Sequence, residues 1–183
     1  MTQTPSASSA YIKKVRRIHK ALGIPASYAN QSGIPLQPEC LHLIDCSESD
    51  VFDRPLRMEK QTFNAWKDMY QNAETDGVSL QIVSAFRSVE YQQGLFEKKL
   101  AKGQLIEMIL KVNAAPGYSE HHTGRALDIT TPGFKALEEE FEKSEAYGWL
   151  TENARRFGFT LSYPRENPYG VLYEPWHWKF CSQ

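Results

Sequence analysis

Apolar residues recur along this chain in two periods, and the switches between them predict its elements. Tyr11, Val15, Ile18 and Leu22 return at helical spacing over 10–22, with lysines and arginines between them and Gly23 to stop the helix. Residues 1–9, small and polar, predict disorder. The weak apolar face of the 10–22 helix suits docking on a core better than lying on a membrane surface. Gly33 to Pro38 reads as a turn-rich connection and Leu41 to Asp45 as a short strand. Met58, Thr62, Ala65, Trp66 and Met69 share one face of a helix over 58–73, which ends before Asp76-Gly77. Leu80, Ile82 and Phe86 alternate in part and predict a strand over 80–86. Helices over 89–102 and 104–111 follow, on either side of Gly103. Arg125 to Thr130 alternates like a strand, and Phe134 to Phe141 reads as one or two glutamate-rich helical turns. Ser144 can cap a helix that reaches Phe157, with Gly158 as its stop; strands over 159–163 and 176–180 complete the set. Strands that do not alternate regularly with helices indicate the α+β class, a small antiparallel sheet flanked by helices.

Composition narrows the field of partners. A chain of 183 residues can bury a core without disulfides, and a formal net charge of -1 with no basic run argues against nucleic acid or anionic lipid. Cys40, Cys46 and Cys181 are odd in number, so they cannot all pair; three reduced thiols is the simpler reading, with a Cys40–Cys46 bridge left open. A metal site from Cys40, His42 and Cys46 lacks a fourth partner, and the stretch reads more simply as a half-buried strand carrying small apolar thiols. No segment is apolar enough to span a bilayer or to act as a signal peptide. Taken as written the protein reads as cytoplasmic, with periplasmic or cell-wall action open to a processed form or one exported by other means. Nothing indicates an oligomer.

The chemistry concentrates in two short stretches. Ser119 to Asp128 packs His121, His122 and Asp128 around Gly124, and Tyr173 to Trp178 adds Glu174 and His177. Together they supply the parts of a catalytic zinc site: a few imidazole and carboxylate ligands, with a spare carboxylate to act on water. His121 and Asp128 are an odd number of positions apart and would face opposite sides of one strand. Both can meet one ion if His121 sits in the loop before the strand and Gly124 turns the backbone. Asp128 then points inward, and Ala126 on the same face leaves room. That pair alone reads better as a hydrogen-bonded structural contact; the second stretch changes the balance. Pro175 bends the second stretch, which can put His177 on the metal and Glu174 beside the water it activates. Two neutral imidazoles and one carboxylate leave such a site positive, which lowers the pKa of the water toward ~7. Glu174 would take its proton and pass it to the leaving amine. Adjacent residues cannot easily both reach one ion, so His122 reads as a supporting or rim residue. Trp176 and Trp178 flank the strand, either as core or as substrate contacts.

Ser119-x-His121-x-x-Gly124-x-Ala126-x-Asp128 with Glu174-Pro175-Trp176-His177 resembles the zinc signature of the VanY-like D-alanyl-D-alanine carboxypeptidases, whose relatives include LdcB-type L,D-carboxypeptidases and VanX-type dipeptidases. Ser84-Ala85-Phe86-Arg87-Ser88 with Gln92 is similar to the family's strand-to-helix segment. The runs from Ser144 to Leu150 and from Phe157 to Pro164 follow its pattern too. The resemblance covers about residues 55–180, so 51–183 is expected to be the zinc peptidase domain. Residues 1–50 are then an extension with one helix, packed on the domain or partly disordered. The resemblance implies a hedgehog-type α+β fold around one zinc per chain, with His121, Asp128 and His177 as ligands and Glu174 as base. Arg87 would lie near the scissile carbonyl or the substrate's terminal carboxylate, unless it forms a salt bridge to a glutamate. Gln92, Ser119 and Trp176 would touch the peptide. The implied reaction is removal of a C-terminal D-alanine from a peptidoglycan stem peptide or muropeptide. Alternatives are an L,D-carboxypeptidase, an endopeptidase on the same polymer, or a non-catalytic zinc-stabilised cell-wall-binding module, against which a base beside an open metal position argues. The chain departs from the pattern at Ala85-Phe86, usually Gly-Tyr, at His122, where glutamine is common, and in lacking an export signal. A cytoplasmic form could trim recycled muropeptides or serve a phage lysis system.

Overall fold

The computed structural model describes residues 7–181. The disorder expected for the first residues falls largely outside that span. Helix α1, Ser9–Leu22, opens on Ser8, whose hydroxyl accepts from the Tyr11 N–H, and closes on Gly23 in the left-handed region. Its buried stripe is Val15, Ile18 and Leu22. A short helix α2, Tyr28–Ser32, lies where no element was expected. Five residues are too few to show a period, and α2 is held by Tyr28, whose buried hydroxyl accepts from the Ala115 N–H at 3.1 Å.

Strands β1, Leu43–Ser49, and β2, Pro55–Glu59, form an antiparallel ribbon. The helix expected from residue 58 begins later: Met58 belongs to β2, and α3 runs Lys60–Thr75. Leu56 and Met58 alternate into the core as a strand does, and the Glu59 carboxylate then caps α3 by accepting from the Thr62 N–H. Cys46 lies in β1 and Cys40 before it; all three cysteines are free.

Strand β3, Gln81–Ser84, leads to α4, Val89–Ala101, and α5, Ile106–Lys111. Strand β4 is Ala126–Thr130, α6 is Glu145–Asn153, β5 is Phe159–Leu161 and β6 is His177–Phe180. Ser144 caps α6 as its position predicts, although the last turn before Gly158 tightens into a 3₁₀ helix over Ala154–Phe157. The glutamate-rich turn lies later than expected, at Glu139–Lys143.

The larger sheet is antiparallel with order β3-β4-β6-β5. All five residues of β4 are buried, because this inner strand is covered on both faces. Leu127 and Ile129 enter a core shared with Met69 of α3, Leu150 of α6, Phe159 and Trp178. Asp128, between them, faces the other way. A second core joins α1, α4 and α5 through Val15, Ile18, Val89, Phe96 and Ile109. The structure is thus mixed α+β, with small antiparallel sheets flanked by helices. Among the described residues no helix is long and apolar enough to cross a membrane.

Candidate metal centre and active site

Sheet register builds the centre. Asp128 on β4 stands directly opposite His177 on β6 and beside Ser84 on β3, so one row across the sheet holds two candidate ligands and the strand end that leads to Arg87. His121 enters from a 3₁₀ turn, Glu120–Thr123, that closes on Gly124 at φ 67°. The turn resolves the odd spacing of His121 and Asp128 as expected: His121 lies before the strand, and Gly124 reverses the backbone. A Cβ on Gly124 would lie 2.8 Å from Leu43 Cδ2 and 2.9 Å from the Glu59 backbone nitrogen, so only glycine suits that position.

His121, Asp128 and His177 are buried, and their candidate ligand atoms lie within 4.8 Å of one another. Among the described residues no such grouping forms around Cys40, His42 and Cys46. Each imidazole is pinned at its far nitrogen. His121 Nδ1 donates to the Ala85 carbonyl at 2.6 Å, which leaves Nε2 as a bare lone pair 3.2 Å from Asp128 Oδ2. That Nε2 is fully buried without a hydrogen-bond partner. His177 Nε2 lies 3.0 Å from Glu120 Oε2, while its Nδ1 faces Asp128 Oδ1 at 3.0 Å. Lone pairs and a carboxylate converging with no proton between His121 and Asp128 are the donor set of a cation. Two imidazoles and one carboxylate with room for a further ligand fit a catalytic zinc.

The charges agree. Burial works against charge on His177, yet its hydrogen bonds to Asp128 and Glu120 outweigh it and raise the imidazole to about 10. Burial, aided by Arg87, lowers His121 to about 4, so it stays neutral. Burial would raise Asp128, but His121 and His177 hold it far below the usual carboxylate range. Asp128 thus draws positive charge, met by a proton on His177 Nδ1 or by a cation that displaces it.

Glu174 sits in the turn before β6, fixed by its N–H to the Tyr163 carbonyl and by the His177 N–H to its own carbonyl. Its Oε2 is 3.8 Å from His177 Nδ1, on the ligand side of that ring. Burial lifts its carboxyl to about 7, against the pull of His177. Arg87 Nη2 lies 3.9 Å from Asp128 Oδ2, and among the described residues Arg87 forms no ion pair with a glutamate. Its Nε is buried and unpartnered.

Arg87, Gln92, Ser119, His121, Asp128, Glu174, Trp176 and His177 all line one cavity of about 360 Å³. The geometry therefore brings these eight candidates to one cavity. Gln92 Nε2 is committed to the Ala114 carbonyl at 3.0 Å, and its buried Oε1 has no partner. Trp176 lines the cavity and packs on the first core as well, while Trp178 is core, its indole N–H on the Pro175 carbonyl. His122 proves a buried brace: Nδ1 donates to the Arg87 carbonyl at 2.6 Å, and Nε2 accepts from the Gly117 N–H at 3.0 Å. Burial pushes it to about 3, so it stays neutral.

Sequence reasoning passed over three residues here. Glu120 adjoins His121 in the motif, but its partners His177 and Lys179 are far along the chain. Lys99, at the end of α4, lines the cavity and forms no ion pair among the described residues; burial and Arg87 lower its pKa. Tyr163 packs its ring 4.9 Å from that of His177. Lys99 carried no local signal, and Tyr163 stood in the Phe157–Pro164 run with no role assigned to it.

Residues 55–183 match the family described as VanY, D-alanyl-D-alanine carboxypeptidase. A D-alanyl-D-alanine carboxypeptidase of Enterococcus faecalis is 34% identical over 62% of this chain. That relative is longer: the chain spans 44% of it, and 59% and 39% of two further curated relatives. The solved LdcB LD-carboxypeptidase superposes with a TM-score of 0.71 at 29% identity, covering 79% of this chain and 72% of that one. A vancomycin-resistance D,D-pentapeptidase VanY solved in complex with Zn(II) gives 0.63 at 29% identity, over 83% of this chain and 89% of that one.

Proposed function

Since the chain belongs to the VanY family of D-alanyl-D-alanine carboxypeptidases, we propose that it is a zinc-dependent carboxypeptidase. It removes the C-terminal D-alanine from peptidoglycan stem peptides or muropeptides, and His121, Asp128 and His177 hold one zinc per chain. The observation that carries this reading is the convergence of His121 Nε2, Asp128 and His177 Nδ1 in a cavity whose wall presents Glu174. Zinc held there would act as a Lewis acid, polarising the scissile carbonyl and making water nucleophilic near neutral pH.

The chain's own groups do the rest. Glu174, with a carboxyl near 7, accepts the proton of the attacking water and returns it to the leaving amine nitrogen. Arg87, with a free buried Nε, stabilises the oxyanion that develops on the carbonyl oxygen. Gln92 has spent its donor on Ala114, so it offers Oε1 to a substrate N–H. Ser119 and Lys99 remain to meet the terminal carboxylate, and Trp176 gives the peptide an apolar wall.

The LdcB likeness supports a second reading on the same site, an L,D-carboxypeptidase. One experiment separates them. Purified protein with its zinc content measured is incubated with tetrapeptide and pentapeptide stems, and the products are read by mass spectrometry. Loss of D-alanine from the pentapeptide supports the first reading, and loss from the tetrapeptide the second. Activity on either stem that survives both full removal of metal and a strong chelator would sink the zinc mechanism.

A further inference from the structure

We propose that Glu120 is a positioning residue: its carboxylate, braced by Lys179, sets the tautomer and ring angle of His177 so that Nδ1 faces the metal position. This rests on the zinc reading above. An imidazole that binds a metal gives up its second proton and carries one N–H, so whichever nitrogen donates leaves the other free as a ligand. Glu120 Oε2 stands 3.0 Å from His177 Nε2 and takes that N–H. The lone pair is then on Nδ1, the nitrogen that faces Asp128 Oδ1 at 3.0 Å and Glu174 Oε2 at 3.8 Å.

The second Glu120 oxygen accepts from Lys179 Nζ at 2.8 Å. Lys179 lies two residues beyond His177 on β6, hence on the same face of the strand. One strand thus presents both the ligand and the cation that steadies its partner. Glu120 opens the very turn that carries His121, so a single turn delivers one ligand and orients another. The two imidazoles are not served alike. His121 donates to a neutral carbonyl, whereas His177 donates to a buried carboxylate, the stronger acceptor. The rings of Tyr163 and His121, each centred 4.9 Å from that of His177, leave it little freedom to turn otherwise.

The test is zinc affinity by competition with a chromophoric chelator, for wild type, Glu120→Gln, Glu120→Ala and Lys179→Met. It is paired with long-range ¹H–¹⁵N spectra of the zinc-loaded imidazoles. Glu120→Gln preserves size and an acceptor while removing charge, and thermal melts of the metal-free forms report whether each variant folds. Zinc binding should weaken roughly 10- to 100-fold in Glu120→Gln, further in Glu120→Ala and less in Lys179→Met. The wild-type spectrum should show His177 protonated at Nε2 and coordinating through Nδ1, with that pattern lost or mixed in Glu120→Ala. Folded Glu120→Gln and Lys179→Met that bind zinc within about 3-fold of wild type, with the His177 pattern unchanged, overturn the positioning role alone. A wild type that takes up no zinc overturns the zinc reading and this role together.

Discussion

Glu174 shows how much one carboxylate owes to its surroundings. On the surface it would be a weak base; burial raises it to about 7 against the pull of His177, where it can take a proton and give it back. Glu174→Gln keeps the shape and removes the proton acceptor. Turnover should fall roughly 10²- to 10⁴-fold while zinc content measured by metal analysis stays at the wild-type level. A fully active variant would move the base elsewhere. The neighbouring histidines make the complementary point. His121 and His122 are adjacent and equally buried, yet one leaves a nitrogen bare toward Asp128 and the other spends both nitrogens on backbone groups. The sequence already set His122 apart as a supporting residue; the direction of each ring shows what it supports.

At the scale of elements, short turns and one terminal helix hold the site. Gly124 lets the His121 turn enter β4, and a side chain there would strike the backbone at Glu59 as well as adopt a left-handed φ. Gly124→Ala should cost about 2 kcal/mol or more in urea unfolding, with weakened zinc binding because His121 shifts. Helix α1 supports the site from behind. Val15 packs where Gly117 has no Cβ, and His19 Nε2 donates to the Pro116 carbonyl at 2.7 Å. Burial lowers the His19 pKa below its ordinary value. Between the folded value and the unfolded one near ~6.5, the unfolded chain binds more protons, so stability rises with pH. The contribution of neutral His19 is therefore present above the unfolded pKa and lost as pH falls below it. His19→Gln, which retains a donor, should show a smaller loss of stability than wild type between neutral pH and pH 5, measured by urea midpoints. An equal loss would remove His19 from the account.

For the molecule as a whole, the centre joins elements that are distant in sequence: the β3–α4 connection, the Glu120 turn, β4 and the turn into β6. An ion bound there ties these segments together in the folded state only. Zinc should then stabilise by mass action, and a strong chelator should lower the melting temperature by roughly 10 °C if free zinc stood far above its dissociation constant. Scanning calorimetry with and without chelator measures it; identical melts would mean that the trio holds no metal. The second core places α1 against α4, so Val15, Ile18 and Leu22 pack with Val89, Phe96 and Ala115, next to Ala114 of the cavity wall.

The sequence by itself determined the chemistry available and most of the elements. His121, Asp128, Glu174 and His177 stood out as candidates because few residue types can bind a metal or move a proton, and because Gly124 and Pro175 mark where the backbone must turn; Arg87 stood out through the family resemblance. The start of α3, the short α2 and the split of the 144–157 helix were not legible, since capping and tertiary packing decide them within a residue or two. Tertiary structure alone decided which nitrogen of each histidine faces inward, which acid braces His177, and that Lys99 and Tyr163 join the cavity. Those contacts depend on strand register and side-chain direction across tens of residues, and local pattern carries neither.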